Sequence, residues 1–257
     1  MGRMKADPTQ RFSSRVEDYI RFRPGYPVEG VVALRRECGL TSASRVADIG
    51  CGTGNLARLF LENGNPVVGV EPNGPMREAA RRLLGHDPNF RIVDGRAEAT
   101  TLPDESADFV TAGQAFHWFD RERSRREFRR ILADRGWVVL IWNERDTTST
   151  PFLRAYEALL RRFGTDYEQV DHRRIDERVL EEFFADGEFA GRTFPNRQVL
   201  DLPGLRGRLR SSSYTPEPGH PQFRPMQEAV DALFREHASG GNVCLEYETR
   251  TYFGHLN

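Results

Sequence analysis

The chain reads as an α/β protein built on a doubly wound, mostly parallel sheet. Three observations predict this. Short apolar runs with strand character alternate with segments whose apolar residues recur at helical spacing. The first run, Val46-Ala47-Asp48-Ile49, passes straight into Gly50-Cys51-Gly52-Thr53-Gly54 and then into a helix. No apolar run approaches the roughly 18 residues of a membrane span, so the runs are core strands. Strands that alternate with helices pair in parallel, with the helices as crossovers on both faces.

Two helical stretches come first. One carries Val16, Tyr19 and Ile20; the other runs from Val28 to about Cys38 and stops at Gly39. Between them, Arg21-Phe22-Arg23-Pro24-Gly25-Tyr26-Pro27 is too rich in proline for regular structure. After the glycine turn, Leu56, Ala57, Leu59, Phe60 and Leu61 form a helix that ends at Gly64, and Pro66–Val70 is the second strand, closing on Glu71. Pro75 fits the first position of the next helix, which Gly85 closes. Phe90–Val93 and Asp108–Ala112 are strands three and four. Asp120 is suited to cap an arginine-rich helix that buries Phe128, Ile131 and Leu132. Asp134-Arg135-Gly136 reads as a turn before a buried fifth strand, Trp137–Trp142. The later third differs: a helix over Pro151–Phe163, a polar stretch from Gly164 to Arg174, and a helix near Val179–Phe184. Gln198-Val199-Leu200 is strand-like, helices follow around Leu202–Leu209 and Gln222–Phe234, and Val243–Phe253 alternates as a last strand should. There is no repeat and no low-complexity linker, so residues 1–257 read as one domain with helical decorations.

Bulk properties narrow the function. Charged residues make up 29% and the mean hydropathy is −0.61, as in a soluble globular protein. The net charge of −1 argues against a broad nucleic-acid surface, and Arg121–Arg130 reads as the solvated face of a helix. Three well-separated cysteines indicate neither a disulfide framework nor a metal site. Without an apolar signal core the expected compartment is the cytoplasm, with no membrane partner.

The glycine turn carries the chemistry. Glycines let the backbone turn sharply and approach a ligand without a Cβ in the way. If the first two strands are neighbours, Glu71 projects beside the turn, where its carboxylate can accept both hydroxyl hydrogens of a ribose. A dinucleotide fingerprint would be G-x-G-x-x-G; here it is G-x-G-x-G with Asp48 two residues before it. A carboxylate at the mouth of the turn repels a pyrophosphate and suits a cationic ligand.

These residues resemble those of the class I S-adenosylmethionine-dependent methyltransferases, small-molecule type, in the trans-aconitate methyltransferase-like or type 11 group. The resemblance covers about residues 12–145, the cofactor half, and extends loosely over 146–257. It includes Gln114-Ala115-Phe116-His117-Trp118-Phe119 after strand four. It implies a Rossmann-like seven-stranded sheet whose last strand is antiparallel, and S-adenosylmethionine as the cofactor. By resemblance Asp48, Gly50, Gly52, Gly54 and Glu71 bind it. Ala97 and Glu98 read the adenine, although Arg96 stands where the family commonly has an aspartate. Gln114 completes the set, as does Tyr19 on an N-terminal arm that closes over the cofactor in related enzymes.

The expected acceptor is a small molecule methylated at oxygen. His117 could act as general base on a hydroxyl; a carboxylate acceptor needs no base but an arginine, with Arg23 the best placed. A short-chain dehydrogenase would need a Tyr-x-x-x-Lys pair, and Lys5 is the sole lysine. A nucleic-acid amino-methyltransferase would show Asn/Asp-Pro-Pro-Tyr/Phe after strand four. The remaining alternative is a cofactor-binding sensor or partner subunit without transferase activity. The sequence does not specify the acceptor or the oligomeric state.

Overall fold

The computed structural model describes residues 15–167, 177–185 and 188–256. Its strands are β1 (Val46–Ile49), β2 (Val67–Val70), β3 (Phe90–Val93), β4 (Ala107–Gly113), β5 (Leu132–Arg145), β6 (Phe189–Leu200) and β7 (Val243–Gly254). They form one sheet in the order β3-β2-β1-β4-β5-β7-β6. Strands β1 to β5 pair in parallel, and β7 is antiparallel to both β5 and β6. The expected antiparallel last strand is therefore present, inserted between its two predecessors. Strand order reverses between β1 and β4, which is where a doubly wound sheet opens a crevice at the carboxyl ends of its strands.

The helices are α1 (Val16–Phe22), α2 (Glu29–Glu37), α3 (Asn55–Glu62), α4 (Gly74–Leu84), α5 (Arg121–Ile131), α6 (Pro151–Phe163), α7 (Glu177–Phe184), α8 (Leu202–Arg210) and α9 (Phe223–His237). Alternation along β1 sends Val46 to one face of the sheet, against α2 and α3, and Ala47 to the other, against α5 and α7. A third cluster joins Leu153 and Leu160 of α6, Leu205 of α8 and Val230 of α9 to Val243 and Leu245 at the start of β7. Helix starts follow side-chain chemistry. Asp120 accepts the Arg123 N–H at 3.0 Å, as expected, and Asn73 accepts the Met76 N–H at 3.0 Å, which places Pro75 one position later than expected. The arginine-rich α5 buries Phe128 and Ile131, and its Arg130 pairs with Glu127 and Asp104.

Two expectations are corrected. Asp134-Arg135-Gly136 is not a free turn but a bulge inside β5. Pairing jumps from Ala107↔Leu132 to Phe109↔Trp137, and Arg135 takes a φ of +56° to absorb the extra residues. The strand expected over Gln198–Leu200 runs the full length of β6, because residues 189–200 all pair with β7. Gly191 and Pro195 hide this in the sequence. Pro195 is tolerated because β6 is an edge strand whose outer side needs no donor. The polar stretch Gly164–Arg174 lies, from residue 168 onward, outside the described residues, as does Lys5.

Candidate active-site cleft

The glycine turn leaves the end of β1 and enters α3 with Gly50, Gly52 and Gly54 all in the left-handed region, at φ +67°, +57° and +86°. Their surroundings differ. A Cβ on Gly50 would lie 2.8 Å from Ala115 Cβ, and one on Gly54 would lie 2.4 Å from Leu84 Cδ1. A Cβ on Gly52 would meet nothing within 4 Å, because it would enter an open cleft. Gly54 thus serves the close packing of α3 on α4, whereas Gly50 and Gly52 form a wall.

That cleft has a volume of about 210 Å³. Tyr19, Gly50, Gly52, Glu71, Ala97, Glu98 and Gln114 of the expected cofactor set all line it. Asp48 and Gly54 do not. Glu71 is 8% exposed, and its two carboxylate oxygens accept the Gly52 and Asn73 N–H groups, each at 2.8 Å. Burial raises its pKa, and those backbone bonds oppose the rise. The segment expected to read the adenine also has a structural duty, since Glu98 accepts the Asp120 N–H at 2.8 Å and so ties it to the start of α5. Arg96 stands on the wall with Met76, Trp118 and Phe119. Sequence reading missed Met76; Trp118 and Phe119 belong to the segment it singled out.

A second, smaller cavity of about 30 Å³ adjoins the first, sharing Tyr19, Gly50, Gly113 and Gln114. Asp48 lines this one. It is 0% exposed, so it sits beneath the turn and not at its mouth as expected. Its Oδ1 accepts from Thr111 Oγ1 at 3.0 Å, across the β1–β4 register, and its Oδ2 has no hydrogen-bond partner among the described residues. Burial pushes its pKa up to about 7, against the pull of the Thr111 hydroxyl and of the nearby Ala57 N–H at the start of α3. Gln114 is similarly placed: its backbone is held at φ +53°, its Nε2 donates to Asn143 O at 3.3 Å, and its buried Oε1 lacks a partner among the described residues. Two buried acceptors without donors beside an open glycine turn fit a ligand bearing N–H groups and positive charge.

The N-terminal arm roofs this region. Helix α1 is pinned by Glu17 to Arg82 of α4 (2.6 Å) and by Asp18 to Arg210 of α8 (2.8 Å). Arg23 and Tyr26 line the smaller cavity, and a Cβ on Gly113 would lie 2.6 Å from the Tyr26 hydroxyl oxygen. Burial keeps that hydroxyl well above the usual tyrosine pKa, so it stays a neutral donor. Arg23 donates to Ser211 O at 2.8 Å, and its guanidinium lies 5.0 Å from the Tyr19 ring centroid. Burial, and next the charge of Arg208, lower its pKa. Arg208, which sequence reading missed, is 6% exposed and donates to the Tyr247 hydroxyl at 3.2 Å and to Ser212 Oγ at 3.0 Å. Neither arginine pairs with a carboxylate among the described residues. His117 sits on the 3-10 turn Phe116–Trp118 with its ring 4.5 Å from that of Trp118, and it lines neither cavity. Among the described residues there is no cluster fit for a metal ion and no helix long and apolar enough to cross a membrane.

Comparison with known proteins agrees with this geometry. Residues 47–140 match the model of a family described as "Methyltransferase domain", type 11. A Mycobacterium tuberculosis protein named as an uncharacterized methyltransferase is 38% identical over 142 residues, which is 55% of this chain and 56% of that one. A Schizosaccharomyces pombe protein, also named as an uncharacterized methyltransferase, is 32% identical over 152 residues, 59% of each chain. The chain therefore spans a little over half the length of these relatives. The crystal structure of the YcgJ protein from Bacillus subtilis matches with a TM-score of 0.57 at 19% identity, over 88% of this chain and 97% of that one; this likeness concerns the fold.

Proposed function

We propose that the chain, whose residues 47–140 match a family model described as a methyltransferase domain, moves a methyl group from S-adenosylmethionine to an oxygen of a small-molecule acceptor under the N-terminal arm. The observation that carries the reading is the buried, unpartnered Asp48 Oδ2 beside an open G-x-G-x-G turn. When bound, S-adenosylmethionine supplies an electrophilic methyl group on a cationic sulfur. The chain's own residues do the rest. Glu71 accepts from the ribose hydroxyls with the lone pairs its two backbone bonds leave over. Gly52 leaves room for the ligand, Ala97 and Glu98 face the adenine, and Asp48 and Gln114 accept from the amino-acid end. Tyr19 and the arm exclude water, so that holding the two reactants in line can supply most of the rate.

The acceptor reading favours an oxyanion. Arg23 and Arg208 are guanidiniums in a low-dielectric region without a carboxylate of their own, and His117 stands off the cavity walls. A carboxylate acceptor satisfies the first fact and needs no base. Replacing Arg23 with alanine is expected to raise the acceptor KM by about tenfold or more, the scale of losing charge-assisted hydrogen bonds. His117→Ala is expected to change turnover by less than about threefold. A loss of ~100-fold in His117→Ala, the scale of general-base catalysis, would instead identify a hydroxyl acceptor. The acceptor itself is found by screening small acids, phenols and amines with isotope-labelled cofactor, read by mass. Tight cofactor binding with no transfer to any of them would favour the sensor alternative.

Asp48 adds a pH signature. Its folded pKa of about 7 lies above its unfolded value, so below pH 7 the protein without ligand holds the group mostly protonated. Its contribution to stability is then greatest at acid pH and declines as pH rises through 7. Binding a cation requires the deprotonated form. Cofactor affinity is therefore expected to climb by up to about tenfold per pH unit below 7 and to level off above about 8. Calorimetry across that range should show the slope vanish in Asp48→Asn; a slope that survives the substitution assigns it to another group.

A further inference from the structure

The end of α1 at Phe22 runs into residues 23–28, which join it to α2 without regular structure and whose two prolines bring no N–H. Two carbonyls at this junction are gripped by side-chain amides of β5 and β6. Gln198 Nε2 donates to Phe22 O at 3.0 Å. Asn143 Nδ2 and Asn196 Nδ2 both donate to Gly25 O, at 3.0 and 2.9 Å. Asn196 and Gln198 are two residues apart on β6 and so share a face; Pro195, Arg197 and Val199 are exposed on the other.

The amides are oriented by what holds their oxygens. Thr249 Oγ1 donates to Asn143 Oδ1 at 2.5 Å, and Asn196 Nδ2 also reaches that oxygen at 3.1 Å. The Tyr247 hydroxyl donates to Gln198 Oε1 at 2.9 Å. With those acceptors occupied, each amide turns an N–H to the arm, and Asn196 divides its two between Gly25 O and the Asn143–Thr249 pair. Asn143 is 2% exposed and lines the smaller cavity, and its own carbonyl accepts from Gln114. The group that grips the arm therefore also steadies the cofactor-side wall.

We infer that Asn143, Asn196 and Gln198 are positioning residues: an amide clamp on the Phe22 and Gly25 carbonyls that keeps Arg23 and Tyr26 closed over the reaction cavity. This rests on the reading that methyl transfer takes place there. The clamp acts through donors, so a variant that keeps shape but loses the donor opens it. Asn196→Asp is that variant at pH 8, where a carboxylate faces the Gly25 carbonyl. A carboxylate facing the Gly25 and Asn143 oxygens takes up its proton more readily than the usual aspartate, so near pH 4.5 the acid is protonated and can donate again. Asn196→Ala removes the donor at every pH.

The dissociation rate of S-adenosylhomocysteine and the hydrogen exchange of the residue 22–26 amides, corrected for intrinsic rates, are compared with wild type at the same pH. At pH 8 both variants are expected to release the ligand about fivefold to tenfold faster, the scale of one or two neutral hydrogen bonds, and to exchange faster at 22–26. At pH 4.5 the Asp variant returns toward the wild-type rate and the Ala variant does not. Gln198→Glu is expected to follow the Asp variant. Unchanged rates at pH 8, or an Asp variant as fast as the Ala variant at pH 4.5, overturn the clamp. Wild type that fails to bind S-adenosylhomocysteine overturns the methyltransferase reading instead, and exchange at 22–26 still decides the clamp on its own.

Discussion

Replacing Glu71 with alanine is expected to weaken cofactor binding ~100-fold or more, beyond what the loss of ribose contacts alone would cost. The side chain does two things at once. It offers acceptor capacity to the cleft, and it ties the Gly52 and Asn73 N–H groups at 2.8 Å each, so the glycine turn and the start of α4 are held by one carboxylate. Hydrogen bonds to a charged group contribute roughly 1.5–3 kcal/mol, and leaving a donor unsatisfied costs about 1–3 kcal/mol. Two such donors are orphaned in Glu71→Ala. The melting temperature should fall by about 5 °C, since each kcal/mol corresponds to about 2–4 °C in a chain of this size. Glu71→Gln keeps an acceptor for one of the two donors and should be intermediate in both properties. Calorimetry with S-adenosylhomocysteine and thermal unfolding measure the two effects separately. An unchanged affinity in Glu71→Ala would mean that the ribose is held elsewhere.

Gly54→Ala is expected to be costly on two independent counts. The residue sits at φ +86°, which costs an L-residue about 1–2 kcal/mol, and the new Cβ would arrive 2.4 Å from Leu84 Cδ1. Overpacking of a filled core adds about 1–3 kcal/mol. The melting temperature should drop by roughly 5–15 °C. Gly52→Ala separates the two causes. Its φ is +57°, yet its Cβ meets nothing within 4 Å, so only the backbone strain remains while the methyl group intrudes on the cleft. It should lose cofactor affinity with a small loss of stability. Equal losses of melting temperature in the two variants would remove the packing argument for Gly54.

The local signals along the chain were strong where strand, turn and helix follow each other closely. Val46–Ile49, the glycine turn, Phe90–Val93 and Pro151–Phe163 could be placed from periodicity and turn chemistry, because each depends on neighbours in sequence. Strand β6 could not. Gly191 and Pro195 break every local strand rule, and only a partner 12 residues long on β7 makes the segment extended. The bulge at Arg135 was equally hidden, since whether Asp134-Arg135-Gly136 is a turn or part of a strand depends on pairing with β4.

The candidate site divides along the same line. The sequence by itself determined the glycine-turn side of the cleft: glycines that need positive φ, and a carboxylate at the end of the second strand, are requirements of residue type at fixed spacing. Tertiary structure alone decided what surrounds the smaller cavity under the arm. It put Asp48 beneath the turn, moved His117 off the cavity walls, and brought Arg208 from α8 and the amides of β5 and β6 to the N-terminal arm. Those groups lie up to 185 residues from the arm segment they serve, as the Arg23–Arg208 pair shows by numbering alone. No periodicity records such a meeting. It follows from where β7 inserts and from which faces the helices must bury, and that is settled only when the whole sheet closes.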